Sequence, residues 1–204
     1  TVLSKEIKKD FLLKYTKCKE ENVIITPNAL NIPNSSKTSN LVLKNICNVK
    51  NENTKIVASL GRFVNVKRFD LLINIFFQFY EKYCDSVDFD ARLIIFGDGD
   101  DKQSYIDLIE KLNMQEKIII HERISDVFSI LNQTDVYACT SKYEGFGMSI
   151  LESFYAGVPV VSFDVLGIEE LIIKKIINKT NNLFILCFFL KFLEIRNTIN
   201  YLNF

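Results

Sequence analysis

The chain has 204 residues, enough for one large domain or for one domain with appendages. With 48% of them hydrophobic, a packed core can form, which argues against global disorder. Lys+Arg 25 against Asp+Glu 25 gives a formal charge of zero, which argues against a nucleic-acid partner held on a basic face.

Five cysteines (Cys18, Cys47, Cys84, Cys139, Cys187) are widely spaced, odd in number and without a C-x-x-C pair. Neither a disulfide framework nor a zinc site is expected; isolated thiols in a reducing cytoplasm are. Lys5, Glu6, Lys8, Lys9 and Asp10 stand where a signal peptide would need an apolar core. The most apolar run, residues 183–190, is far short of the roughly 20 residues that span a bilayer. The expectation is a soluble, cytoplasmic protein, with a peripheral membrane contact left open.

In chain order, residues 4–15 read as a helix, 22–26 as strand-like, and the polar 31–40 as a linker. From Lys55 onward, apolar β-rich runs alternate with helical patterns. Residues 55–60 form a strand stopped by Gly61, and 69–83 a helix with apolar residues nearly all round. Residues 91–96 form a second strand closed by Gly97-Asp98-Gly99, and 102–112 a helix with Asp100 or Asp101 as cap. A third strand over 117–121 leads to a short helix over 125–131, with Ser125 placed to cap it. A fourth strand covers 136–140. A helix over 149–156 ends at Gly157, a fifth strand covers 158–163, and a last short helix 168–173.

Strands alternating with helices through short connections demand a parallel sheet with right-handed crossovers and helices on both faces. Their lack of polar alternation fits strands covered on both sides. The expected fold is α/β: a Rossmann-like doubly wound domain over residues 51–175. Residues 1–50 and 176–204 lie outside it, the latter without a legible period.

Ligands of such sheets bind at the carboxyl ends of the strands. Gly61-Arg62-Phe63-Val64-Asn65-Val66-Lys67 places two cations there, suited to a diphosphate, although two solvent-facing basic residues would look the same. Gly97-Asp98-Gly99 brings backbone close to something, yet it lacks the third glycine of a dinucleotide fingerprint. In Tyr143-Glu144-Gly145-Phe146-Gly147-Met148-Ser149-Ile150-Leu151-Glu152, the glycines allow close backbone approach and the following helix aims amides at an anion. Glu144 and Glu152 are acceptors for hydroxyls, as on a sugar or ribose. Ser149-x-x-Glu152 also matches a capping box, which would give Glu152 a purely structural task. His121, the single histidine, ends a strand without an evident partner, and no Ser/His/Asp or Cys/His constellation can be assembled. No Asp-x-Asp pair stands in an obvious metal-binding loop, so no metal is expected.

Taken together, GRFVNVKRFDLLI, RLIIFGDGDDKQSYIDLI and DVYACTSKYEGFGMSILESFYAGVPVVSFDVLGIEELI resemble the C-terminal, donor-binding half of GT-B glycosyltransferases, group 1 or family 4, retaining type. The resemblance covers about residues 55–173 and rests on two glutamates with seven residues between them, GR-x4-K upstream and G-x-P-V-V downstream. It implies transfer of a sugar from a nucleotide-diphosphate sugar to a glycan or lipid-linked acceptor, without a cofactor or bound metal. By it, Arg62 and Lys67 hold the diphosphate, with Gly61 among the donor-binding residues, while Glu144 contacts the sugar hydroxyls and Glu152 the ribose. Gly145, Phe146, Gly147 and Met148 would line sugar and phosphate, and Arg123 and Ile124 would lie against the base. Arg62, Lys67 and Glu144 are then the catalytic set. Residues 22–28 resemble the segment leading out of the family's first domain, so residues 1–50 would be the tail of an acceptor domain and the chain a fragment. The competing expectation is a non-catalytic remnant or interaction module that keeps the fold; an epimerase of the same architecture fits the paired-glutamate loop less well.

Overall fold

The apolar hexapeptide Lys55–Leu60 forms the central strand, β1, of a five-stranded parallel sheet in the computed structural model. The structure describes residues 1–3, 5–26, 28–30, 43, 46, 47, 49, 53–84 and 90–163. After α1 (Lys5–Lys14) and β1 come α2 (Phe69–Tyr83), β2 (Ala91–Phe96), α3 (Lys102–Lys111), β3 (Ile118–His121), α4 (Val127–Leu131), β4 (Val136–Cys139), α5 (Met148–Tyr155) and β5 (Val160–Ser162). The strand order is β3-β2-β1-β4-β5, every pairing parallel. This is the doubly wound arrangement expected from the alternation of elements. The expected linker at 31–40, the helix at 168–173 and everything beyond Lys174 lie outside the described residues.

β2 shows why the strands carry no polar alternation. Successive side chains point to opposite faces, and both faces are covered. Ala91, Leu93 and Ile95 join a cluster with Phe69, Leu72, Ile73 and Phe76 of α2 and Tyr105 and Ile109 of α3. Ile94 and Phe96 face the other way, against Ile56, Ile130, Leu43 and Cys47. A third cluster joins Tyr137 and Cys139 of β4 to Leu131, Ile150 and Val160. Leu93, Ile94 and Ile95 are fully buried, each worth about 1.5–3 kcal/mol in transfer free energy.

Three local expectations change. α4 begins at Val127, capped by Asp126, whose carboxylate accepts from the Ser129 amide at 3.1 Å; Ser125 is not the cap. α5 begins at Met148 behind Gly147, which sits in the left-handed region at φ 66, so Ser149 lies inside the helix and not at its cap. Within 22–26 only Ile25 pairs, through a parallel bridge to Val2 flanked by Val2 N–Ile24 O at 2.9 Å and Thr26 N–Val2 O at 2.8 Å. With α1 between them, these two extended pieces form a small β-α-β unit beside the sheet.

At the amino ends of the strands, Asp90 accepts hydrogen bonds from Arg92 Nη1 at 2.5 Å, Lys117 Nζ at 3.1 Å, Tyr80 at 3.2 Å and Thr54 at 3.3 Å. This cluster clamps the entries of β1, β2 and β3 together, at the end of the sheet away from the loops that follow the strands.

Candidate functional site

β1 stands between β2 and β4, and the connections leaving β1 and β4 run to opposite sides of the sheet. Loops diverge at such a switch point and leave a crevice beyond the carboxyl ends of the strands. A cavity of about 390 Å³ lies there, inside the usual range of about 300–1,000 Å³ for small-molecule sites. One wall is Leu60, Gly61, Arg62 and Lys67, and the other is Glu144, Phe146, Gly147, Met148, Ser149 and Glu152. Leu3 and Asn28, delivered by the two extended pieces of the N-terminal unit, line it as well.

Lys67 ends a short 3-10 turn, Asn65–Lys67, and the next residue, Arg68, is left-handed at φ 52 and ψ 42. A side chain other than glycine there costs roughly 1–2 kcal/mol. The turn is held from β4: Thr140 Oγ1 lies 2.9 Å from the Arg68 carbonyl oxygen and 3.2 Å from that of Lys67, and the Lys142 amide donates to the Val66 carbonyl at 2.8 Å. The carboxyl end of β4 therefore fixes where the Lys67 side chain starts.

Glu144 is only 8% exposed. Its Oε1 accepts from Lys67 Nζ at 2.6 Å and from Ser141 Oγ at 2.6 Å, with Cys139 Sγ at 3.7 Å. Enclosing a carboxylate without partners is costly, and these contacts offset that cost. The contacts converge on one oxygen. Oε2 accepts no hydrogen bond among the described residues, and Glu144 is part of the cavity wall. Burial, followed by the charge of Glu144, pushes the Cys139 thiol above its ordinary value.

Below the cavity, the buried Tyr137 hydroxyl lies 2.7 Å from Ser149 Oγ and 3.3 Å from the Leu60 carbonyl oxygen, joining β4, α5 and β1. Ser149 is thus spent on Tyr137 and, through its carbonyl, on Ser153 Oγ at 2.7 Å. Among the described residues no side chain caps α5, and its start, Gly147 to Ser149, lines the cavity, where the first amides of a helix lack intrahelical partners. Glu152, one turn further on, is half-buried, and its carboxylate has no hydrogen-bond partner among the described residues. Burial pushes its carboxyl above the ordinary value. Arg62 is exposed at the mouth.

The structure thus brings Gly61, Arg62, Lys67, Glu144, Phe146, Gly147, Met148 and Glu152 to one cavity. Gly145 is not part of its wall and backs onto Leu3, whose Cδ1 would lie 3.6 Å from a Cβ there. Arg123 and Ile124 stand apart from the cavity in the loop after β3. Arg123 is exposed, and Ile124 packs against the cluster containing Ile56, Ile94 and Phe96. His121 packs on Phe96, ring centroids 5.3 Å apart and tilted by 54°, and is not part of the wall. Gly97 and Gly99 have a structural explanation. A Cβ on Gly97 would collide with the Gly61 carbonyl oxygen, and one on Gly99 with the Phe63 backbone, so both let the loop after β2 lie on the loop after β1. Sequence reasoning passed over Thr140, whose hydroxyl acts across the switch point, Ser141, whose hydroxyl holds Glu144 within the loop after β4, and Leu3 and Asn28.

N-acetyl-alpha-D-glucosaminyl L-malate synthase of Bacillus anthracis is 29% identical over 121 residues, covering 59% of this chain and 30% of that protein. A crystal structure of an S. aureus TarM mutant in complex with Fondaparinux, alpha-GlcNAc-glycerol and UDP is similar at a TM-score of 0.66 and 26% identity. It covers 83% of this chain and 30% of that one. Anabaena Alr3699/HepE in complex with UDP and glucose shares the fold, at a TM-score of 0.68 and 22% identity over 83% of this chain and 45% of that one. The chain spans about a third or less of the curated relatives it matches first. The family model of the glycosyl transferases group 1 matches residues 46–183, a stretch that contains the whole five-stranded sheet and both glutamates. On a match of that extent, the chain belongs to the group 1 glycosyl transferases.

Proposed function

We propose that this chain binds a nucleotide-diphosphate sugar and supplies the donor-binding half of a glycosyltransferase that retains configuration at the transferred carbon. The observation that carries this reading is the convergence on one cavity of two cations, two carboxylates with unused acceptor capacity, and an uncapped helix start. Relatives of the same fold hold UDP, or UDP and glucose, in their solved complexes.

In this reading the diphosphate lies between Arg62, Lys67 and the first amides of α5. Arg62 offers a planar fork and Lys67 a compact charge, and both stabilise the charge that grows on the leaving diphosphate as the glycosidic bond breaks. Glu144 Oε2 accepts from hydroxyls of the donor sugar, while Oε1 stays anchored. Glu152, unpaired in the free chain, accepts from the ribose hydroxyls, which offsets the cost of its burial. The arriving diphosphate competes with Glu144 for Lys67, so donor binding redistributes a contact already present.

The acceptor, a glycan or a lipid-linked glycan, approaches from the side of the cavity where Leu3 and Asn28 stand. A cytoplasmic location agrees with this donor chemistry and with Cys18, Cys47, Cys84 and Cys139 being free thiols. Among the described residues no helix is long and apolar enough to cross a membrane.

Calorimetric titration of the chain with UDP, GDP and a panel of their sugars tests the proposal, beside Glu152→Ala and Arg62→Ala. Saturable binding weakened at least about tenfold by each substitution is the expected result. A folded chain that binds none of these ligands would replace this reading with that of a remnant keeping only the fold.

A further inference from the structure

The geometry points to Ser141 as a positioning residue that fixes the orientation of the Glu144 carboxylate and thereby sets recognition of the donor's sugar, separately from its nucleotide. The inference rests on the donor-binding reading given above. Ser141 is 3% exposed, the second residue beyond β4, and its hydroxyl donates to Glu144 Oε1 at 2.6 Å. Lys67 Nζ reaches the same oxygen, also at 2.6 Å.

These two donors differ in what happens when a ligand arrives. Lys67 is a flexible cation that a diphosphate draws toward itself. Ser141 is neutral, short and enclosed, so it has one χ angle, no charge to offer a phosphate and no route into the cavity. When Lys67 turns to the diphosphate, Ser141 is the donor that keeps Oε1 in place, with Cys139 Sγ at 3.7 Å a weak third contact. Oε2 then stays directed at the sugar. Without the hydroxyl, the carboxylate can rotate or follow Lys67, and the sugar loses its acceptor while the nucleotide keeps all of its contacts.

The test uses Ser141→Ala, which deletes the donor, and Ser141→Cys, which keeps the volume with a weak donor, under reducing conditions. Titration with UDP-sugar and with UDP should show the ratio of their affinities falling about tenfold in both variants, with UDP affinity within about twofold of the parent. If both ligands weaken alike, or if the cysteine variant matches the parent, Ser141 acts through packing and the inference is overturned. A second measurement needs no ligand. In a double-mutant cycle on urea unfolding, Ser141→Ala and Glu144→Ala should be non-additive by about tenfold in the folding constant. If the parent chain binds no nucleotide sugar, the donor reading falls and the cycle decides alone: non-additivity retains Ser141 as the group that fixes Glu144, and additivity overturns it. The cysteine variant replaces the alanine variant in both experiments should the latter fail to fold.

Discussion

Lys67 and Glu144 meet across the switch point of the sheet, Nζ to Oε1 at 2.6 Å, with their side chains 20% and 10% exposed. One comes from the turn after β1 and the other from the loop after β4, so the pair is a non-local tie as well as a piece of the cavity wall. Removing the cation leaves an enclosed carboxylate with only Ser141 and Cys139, and such a loss is costly even though the pair itself adds little net stability. Lys67→Ala should therefore destabilise the chain by about 2 kcal/mol. Arg62→Ala, at an exposed position, should stay within about 0.5 kcal/mol. Both should weaken nucleotide-diphosphate binding. Urea unfolding beside calorimetry separates the two effects, and equal stability losses would contradict this assignment of roles.

Glu152 predicts a conflict between stability and binding. Its carboxyl is raised by burial alone, so the folded chain holds a proton that the unfolded chain releases at a lower pH. Stability therefore falls as pH rises from the unfolded carboxylate value, about 4.3, through the raised folded one, and the cost is fully present above that. Glu152→Gln should remove this slope and stabilise the free chain at neutral pH by about 0.5 kcal/mol, after allowance for solvent screening. The same substitution should weaken nucleotide binding. A variant less stable than the parent at pH 7 would mean that Glu152 has a structural partner after all.

Asp90 should respond with the opposite sign. Burial pulls its carboxyl up, but hydrogen bonds and charges from Arg92 and Lys117 outweigh that and hold it below the ordinary value. The stability it contributes is present above the unfolded value, about 3.9, and is lost as pH falls through the depressed folded one. Asp90→Asn should cost about 2 kcal/mol at pH 7, because Arg92, whose Nε already lacks a partner, and Lys117 lose the negative charge they share, and one of its two acceptor oxygens becomes a donor. Nucleotide affinity should not change, since the cluster sits at the far end of the strands. Unfolding midpoints between pH 3 and 7 check the first statement and titration the second.

The sheet was legible because β1 and β2 are apolar on both faces, a pattern that only strands covered on both sides sustain. Arg62, Lys67 and Glu144 were placed in loops after strands by the alternation of elements, but their grouping with Glu152 was legible only through the resemblance of GR-x4-K and the paired glutamates to a family motif. Local patterns misled where backbone conformation decided. Ser149-x-x-Glu152 satisfies a capping box on paper, yet left-handed Gly147 starts α5 earlier and hands Ser149 to Tyr137. Gly97 and Gly99 signal close approach, and what approaches is the loop after β1. Thr140 carries no spacing signal, because the carbonyls it serves reach it only when β4 folds beside β1. Ser141 stands three residues before its partner Glu144, but that spacing alone does not single it out, and Arg68 takes a conformation that its side chain gives no hint of.

Thr140 supplies the last prediction. Its hydroxyl lies against the carbonyl oxygens of both Lys67 and Arg68, where it supports the left-handed residue that ends the cation-bearing turn. Valine has nearly the same shape but no donor, so Thr140→Val should cost about 1 kcal/mol and let the turn relax. The relaxation moves Lys67, not Glu144, so UDP and UDP-sugar should weaken together, by about threefold to tenfold, with their ratio preserved. Ser141→Ala should do the reverse, changing the ratio and sparing UDP. Two adjacent hydroxyls at the end of one strand would then govern two parts of one ligand. Thr140→Val lowering stability with UDP affinity intact would instead confine Thr140 to folding and leave the position of Lys67 to the turn alone.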